Sequence, residues 1–96
     1  MESVFEINDK SGRRIHLSNE RWAHINQEHP EVAPYLEDVK DTITNPTRIV
    51  PYEEDDNVNY YYKYFKGKQL RYLLVIVKYL NNHGFIITAY FVRNLK

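Results

Sequence analysis

The second half of this sequence changes to a hydrophobic period of two, and this pattern limits the folds that the chain can adopt. Four runs there are rich in β-branched and aromatic residues and predict β-strands: TRIVPY, NYYYKYF, LRYLLVIVKYL and FIITAYFV. The loops between them are short, and neighbouring strands joined by short loops pair in antiparallel fashion. The sequence therefore predicts a curved, four-stranded antiparallel β-sheet.

The first half of the chain predicts a short β-hairpin followed by two α-helices. VFEIN and RIHLS alternate apolar and polar residues around the turn DKSG, which is typical of a hairpin. Ser18 is suited to cap a helix over NERWAHINQEH, which should end at Pro30 because the residue before a proline avoids the α region. A second helix is predicted from about Ala33 to Thr44, with Pro34 in its first turn. Two helices on one face of an antiparallel sheet make an α+β fold.

The length and composition limit the classes to which this protein can belong. A chain of 96 residues suits one domain, residues 1–96, and the absence of cysteine excludes disulfides and favours a reducing compartment. The amino terminus lacks the pattern of a signal peptide, and the longest apolar run is too short to span a bilayer. We therefore expect a soluble, cytoplasmic protein that does not bind membranes. Thirteen basic and thirteen acidic residues argue against strong, non-specific binding of polyanions, although cations dominate the last third.

The segment RWAHINQEHPE concentrates groups that can transfer protons. At about 100° per helical residue, Arg21, His24 and Glu28 lie within roughly 60° of one another. His29 lies at the end of the helix, where the helix dipole stabilises a protonated imidazole. One neutral and one protonated histidine are what a general base and a general acid require. The alternative is structural: His29 only caps the helix, and His24 lies on a solvated surface.

A metal site is the third interpretation of these histidines, and the spacing disfavours it. Two histidines four residues apart on a helix chelate a metal, whereas His24 and His29 are five apart, which separates their rings by about 140°. Cysteine is absent, and we interpret the acidic run EEDD as a solvated loop. We therefore expect no metal and no cofactor.

The last predicted strand carries two hydroxyl groups on one face. Alternation places these residues in two sets: Ile86, Thr88, Tyr90 and Val92 on one face, and Phe85, Ile87, Ala89 and Phe91 on the other. The second set should face the core. Thr88 and Tyr90 then interrupt the opposite face, either as part of a site or as ordinary strand-forming residues.

Aromatic and basic residues on the other strands are weaker candidates for binding a substrate. Tyr60, Tyr62 and Tyr64 share a face, where they form either a stacking platform for bases or a cross-strand ladder. Tyr62 is the member that we keep as a candidate for substrate binding. Three cations lie on predicted strands, and they are Lys63, Arg71 and Lys78. Each would either contact a phosphate or extend from the sheet to water.

Several segments together resemble a known superfamily. RWAHINQEHPE, ITNPTRIV, YLLVIVKY and IITAYF are similar to the phage-associated branch of the barnase–EndoU–colicin–RelE-like (BECR) nucleases. The likeness extends from about Ile15 to Val92, and its strongest elements are H-x4-H-P-E and the terminal I-T-A-Y. The resemblance implies N-terminal helices packed on a four-stranded antiparallel sheet. It also implies a metal-independent endoribonuclease, which in many members is a toxin that an antitoxin or immunity protein would inhibit.

The resemblance also implies a mechanism and assigns residues to it. A base takes the proton of an RNA 2′-OH, which attacks the adjacent phosphate, and an acid protonates the departing 5′-oxygen. The residues that match the family pattern are Arg21, His24 and His29 on the helix, and Thr88 and Tyr90 on the last strand. The histidines would be the acid–base pair, with their individual roles open. Arg21 would bind phosphate, and the two hydroxyls would contact the scissile group.

Two other functions remain open from the sequence. A non-catalytic module on the same fold would bind RNA or protein through the tyrosine face and would not need the histidines. A homodimer would form if the strand YLLVIVKYL or the last strand lay at an edge of the sheet and paired with a second copy.

Overall fold

The computed structural model describes residues 3–66 and 71–96, which form one six-stranded sheet with two α-helices. The strands are β1 (Ser3–Asn8), β2 (Arg14–Ser18), β3 (Arg48–Pro51), β4 (Val58–Tyr64), β5 (Tyr72–Leu80) and β6 (His83–Val92). The helices are α1 (Asn19–Glu28) and α2 (Leu36–Thr44), and a 3₁₀ helix, Pro30–Tyr35, lies between them. Leu70, the first residue of the predicted third run, lies outside the described residues. No helix in the described ranges is long and apolar enough to cross a membrane.

The sheet is larger than predicted because the N-terminal hairpin is part of it. The strand order is β1-β2-β6-β5-β4-β3. The antiparallel pairing of β3 to β6 agrees with the prediction, but the strand count of four is wrong. β2 pairs with β6 in parallel over three residue pairs, from Arg14 with His83 to His16 with Phe85. These partners lie far apart in the sequence, so the local alternation that predicted the hairpin contains no sign of their pairing.

The first helix has the predicted bounds to within one residue, and the second starts later than expected. The Ser18 hydroxyl accepts a hydrogen bond from the Arg21 backbone N–H at 3.1 Å and caps α1, which ends two residues before Pro30. The segment predicted to begin α2 at Ala33 is 3₁₀-helical, and Pro34 lies inside it. Pro30 and Pro34 lack backbone N–H donors, which favours this tighter, short turn over a regular first α-turn.

The core lies between the two helices and one face of the sheet. Its fully buried side chains come from both layers, and they are Ile15, Leu17, Ile25, Val32, Val39, Ile43, Leu73, Val75, Val77 and Ala89. Full burial of an aliphatic side chain of this size contributes about 1.5–3 kcal/mol relative to exposure. The opposite face of the sheet carries no helix, and we call it the open face. The site residues on β6 lie on or beside this open face.

A β-bulge in β6 changes which of its side chains face the core. Ile76 pairs with Thr88 but Val77 pairs with Ile86, so Ile87 is an extra residue without an opposite partner. The alternation therefore reverses at Ile87. Ile86 is buried at 3% exposure and Phe85 is 44% exposed, so the prediction that Phe85 faces the core is wrong. Beyond the bulge, Ala89 and Phe91 pack in the core as predicted.

The position of β5 removes one proposed route to a homodimer. β5 pairs with β4 on one side and with β6 on the other, so its backbone has no free edge. The edge strands of the sheet are β1 and β3. The expectation that YLLVIVKYL pairs with a second copy is therefore wrong.

A buried carboxylate fixes the hairpin turn to the middle of the sheet. Asp9 is 6% exposed, and its Oδ1 accepts hydrogen bonds from the Ser11 backbone N–H and hydroxyl and from the Arg13 backbone N–H, at 2.7 to 2.9 Å. Its Oδ2 accepts a hydrogen bond of 2.7 Å from the Tyr79 hydroxyl, which in turn contacts the Tyr61 hydroxyl. Burial raises the pKa of Asp9, but these hydrogen bonds outweigh burial and hold the pKa below its usual value.

We expect Asp9→Asn to lower the free energy of unfolding by about 1–3 kcal/mol at pH 7, because buried donors lose a charged acceptor. The folded-state pKa lies below the unfolded one. The contribution of Asp9 is therefore complete above the unfolded pKa of about 3.9 and is lost as the pH falls through the folded pKa. Urea denaturation from pH 7 to pH 3 should show the difference between wild type and variant shrinking at the acid end. The control is Asp56→Asn, which changes an exposed carboxyl. A difference that stays constant with pH would contradict this account.

Candidate active site

The exposed side of α1 carries the predicted arginine and the first histidine. His24 Nε2 lies 3.5 Å from Glu28 Oε2, one helical turn away, and both side chains are about half exposed. Arg21 is exposed one turn before His24. A carboxylate at this distance can orient the imidazole ring. The predicted clustering of Arg21, His24 and Glu28 on one side of the helix is present in the structure.

His29 directs its ring towards the last strand of the sheet. It is the C-cap of α1, and its backbone N–H donates a hydrogen bond of 2.7 Å to the Ile25 carbonyl. Its ring stacks on the Tyr90 ring, with centroids 4.8 Å apart and planes 20° apart. Its Nδ1 lies 3.7 Å from Glu31 Oε2. The ring therefore connects the helix motif with the motif of the last strand.

The two hydroxyl residues of β6 lie on the open face, two positions apart. Thr88 pairs with Ile76 and Tyr90 pairs with Leu74 across β5. Both Thr88 and Tyr90 are half-buried. They lie beyond the bulge, where the predicted alternation holds, and so they share a face as expected.

Arg21 lies between two adjacent grooves. One groove is lined by Ser18, Glu20, Arg21 and His24. The other lies over the open face and is lined by Arg21 together with His16, Lys78 and Phe85. The Lys78 ammonium also pairs with Asp55 at 3.3 Å. Arg21 can therefore contact an anion in either groove.

His16 was not predicted as a site residue, but it lies in the same groove as Arg21 and Lys78. Its Nδ1 lies 3.4 Å from Glu6 Oε1, and its Nε2 lies 3.3 Å from His83 Nδ1. Alternation in RIHLS already puts His16 on the face opposite the buried Ile15 and Leu17, and that signal was available. Its proximity to His83 follows from the parallel pairing of β2 with β6, which the sequence did not predict.

Three predicted substrate-binding residues lie away from these grooves. Tyr62 is 2% exposed, and burial raises the pKa of its hydroxyl. Lys63 donates a hydrogen bond of 2.8 Å to the Asn45 carbonyl and pairs with Asp41 at 3.3 Å, which ties it to the end of α2. Arg71 lines a separate groove with Arg93 near the start of β5. We therefore leave Tyr62 and Lys63 out of the candidate site.

The acidic run EEDD forms a turn between β3 and β4. Asp55 accepts a hydrogen bond of 2.9 Å from the Asn57 backbone N–H, which together with Lys78 lowers the pKa of its carboxyl despite some desolvation. Within residues 3–66 and 71–96, no three histidine, aspartate or glutamate side chains are grouped so that they could hold a metal ion.

The fold and the family comparison together define the class of protein. A sheet with helices on one face agrees with the α+β fold implied by the resemblance to BECR-type nucleases, although it has six strands and not four. The chain belongs to the PBECR2 family, described as phage-Barnase-EndoU-ColicinE5/D-RelE like nuclease2, whose model matches residues 2–96. This match confirms the resemblance found in the sequence, and a nuclease family implies a nucleic-acid substrate. No curated protein matches the chain.

The stacking of His29 on Tyr90 can be tested in solution by NMR. A ring stacked at 4.8 Å experiences the ring current of its neighbour, so the His29 ring protons should resonate upfield of those of the half-exposed His24. Tyr90→Leu should move the His29 signals towards those of His24. The control is Tyr64→Leu, which removes an exposed tyrosine that makes an edge contact with Tyr72 instead. His29 signals that do not respond to Tyr90→Leu would show that the two rings are apart.

Proposed function

We propose that this protein is a metal-independent endoribonuclease that cleaves RNA by transesterification, with His24 and His29 as the acid–base pair. Membership of the PBECR2 family supports the assignment as a nuclease. The stacking of His29 on Tyr90 is the observation that supports this assignment of residues. It joins two motifs that lie 61 residues apart in the chain (90 minus 29). This contact between the end of α1 and β6 supports a common site for the two motifs.

In the proposed reaction, one histidine accepts a proton and the other donates one. One imidazole, unprotonated, takes the proton of the 2′-OH as its oxygen attacks the adjacent phosphorus. The other, protonated, donates its proton to the 5′-oxygen as the P–O bond breaks. The products are a 2′,3′-cyclic phosphate and a 5′-hydroxyl end. The carboxylates of Glu28 and Glu31, at 3.5 and 3.7 Å from the two imidazoles, support the orientation of these rings.

The other candidate residues would stabilise the charge that develops on the phosphate. Arg21 would bind the phosphate because its guanidinium can donate two parallel hydrogen bonds to phosphate oxygens. The hydroxyls of Thr88 and Tyr90 would donate hydrogen bonds to the scissile group. Lys78 and Arg71 would attract the flanking backbone, and the exposed Arg93 beside Arg71 adds a second cation there.

The biological setting is a further part of this proposal. We propose a phage-related role, in line with the family description, in which the protein acts in the cytoplasm as a toxin or defence module. An antitoxin or immunity protein would then inhibit it. The alternative, a non-catalytic module that binds RNA or protein through a row of tyrosines, is weakened by the burial of Tyr62 in the middle of that row.

We expect the purified protein to cleave a mixture of tRNA and mRNA in the presence of a chelator and to leave 2′,3′-cyclic phosphate ends. His24→Ala and His29→Ala should each lower the rate by about 10²- to 10⁴-fold, the usual contribution of a positioned acid or base. The wild-type rate should also show a bell-shaped dependence on pH. Product ends can be identified by mass spectrometry of a cleaved oligonucleotide.

The matched control for this experiment is Gln27→Ala, which truncates an exposed polar residue of the same helix. It should keep the wild-type rate. Circular dichroism and thermal unfolding should show that both histidine variants fold. A wild-type protein that binds RNA but never cleaves it would contradict the enzymatic proposal, and full activity in both histidine variants would contradict the assignment of the acid–base pair.

A further inference from the structure

The bulge in β6 gives the open face an exposed aromatic ring. Phe85 is 44% exposed because the extra residue Ile87 reverses the alternation of the strand. Bulges are frequent next to active sites, where they redirect a side chain. The exposure of a large apolar ring costs stability, since its burial would contribute about 1.5–3 kcal/mol. A ligand that covers Phe85 would recover this free energy.

The ring of His16 extends this aromatic surface. It stacks on Phe85, with centroids 5.4 Å apart and planes 20° apart. Glu6 lies beside one nitrogen of His16 and His83 beside the other, at 3.4 and 3.3 Å. These contacts hold the imidazole parallel to the phenyl ring. The surface is therefore largely formed before any ligand binds.

Two cations flank the aromatic surface in the same groove. Arg21 reaches it from α1 and Lys78 from β5. No acidic side chain lines this groove in the described ranges, although Asp55 pairs with Lys78 and Glu6 with His16. An aromatic surface next to cations matches a nucleotide of a single strand, whose base stacks while its phosphate meets the charges. An apolar segment of a protein partner would leave the Arg21 guanidinium without an anionic counterpart in this groove.

We propose that the groove over Phe85 and His16 is a nucleobase-stacking subsite for single-stranded RNA, with Lys78 binding the phosphate of the same nucleotide and Arg21 lying between that nucleotide and the scissile phosphate. The inference rests on the proposed ribonuclease function and deepens it. Arg21 lines this groove and also the groove of His24, so the stacked nucleotide lies next to the scissile phosphate. The subsite would strengthen substrate binding and position the strand, without transferring protons.

Binding can be measured without cleavage by using a short, fluorescently labelled 2′-O-methyl RNA, which lacks the attacking hydroxyl. Phe85→Ala should raise the Kd for this probe by about 5- to 150-fold, the range found when one base-stacking ring is removed. Phe85→Trp should keep the wild-type Kd because it preserves a stacking surface. The Kd for inorganic polyphosphate should change with Lys78→Ala but not with Phe85→Ala, since that probe contains no bases.

The matched control is Tyr64→Ala, because Tyr64 is 47% exposed on the same sheet but outside the groove. It should leave the Kd for the RNA probe unchanged, and thermal unfolding should show that each variant folds. An unchanged Kd in Phe85→Ala, or an equal loss in Tyr64→Ala, would overturn the subsite and leave Phe85 as a surface for a protein partner. Such a result in a protein that cleaves RNA would leave the proposed function intact. A protein without cleavage in which Phe85→Ala still weakens binding would retain the subsite and lose the catalytic proposal.

Discussion

The parallel pairing of β2 with β6 determines how the N-terminal hairpin and α1 are arranged on the sheet. It joins the N-terminal hairpin to the sheet through three residue pairs and fixes where α1 begins, because Ser18 ends β2 and caps the helix. From there α1 contacts β6. His29, at the end of α1, meets Tyr90 as a consequence. Both candidate grooves therefore follow from one short strand contact.

Local charge, and not the net charge of zero, decides whether this protein can bind a polyanion. Several of its cations are already paired on the helix side of the sheet, as Lys63 is with Asp41 and Lys40 is with Glu37. Arg21 belongs to no ion pair in the described part of the chain. A small number of cations beside an open groove gives a local positive potential even on a neutral protein. An RNA strand should then bind most tightly at the site and only weakly elsewhere along its length.

The features that are decided by residues close together in the sequence could be predicted from it. The Ser18 cap, the end of α1 before Pro30 and the antiparallel pairing of β3 to β6 all follow from local chemistry. The position of Thr88 and Tyr90 on one face follows from simple alternation. The prediction failed where distant segments decide the outcome. These are the pairing of β2 with β6, the bulge that exposes Phe85, and the burial of Tyr62 beneath the backbone at the C-terminal Lys96.

Chemical-shift mapping would show whether RNA binds across α1 and the open face of the sheet. A ¹H–¹⁵N spectrum of the labelled protein would be recorded during titration with a non-cleavable, single-stranded RNA. We expect the largest shifts at Arg21, His24, His29 and Tyr90, and the next largest at Phe85 and His16. Shifts centred on α2 and Lys63, on the opposite face of the sheet, would contradict it.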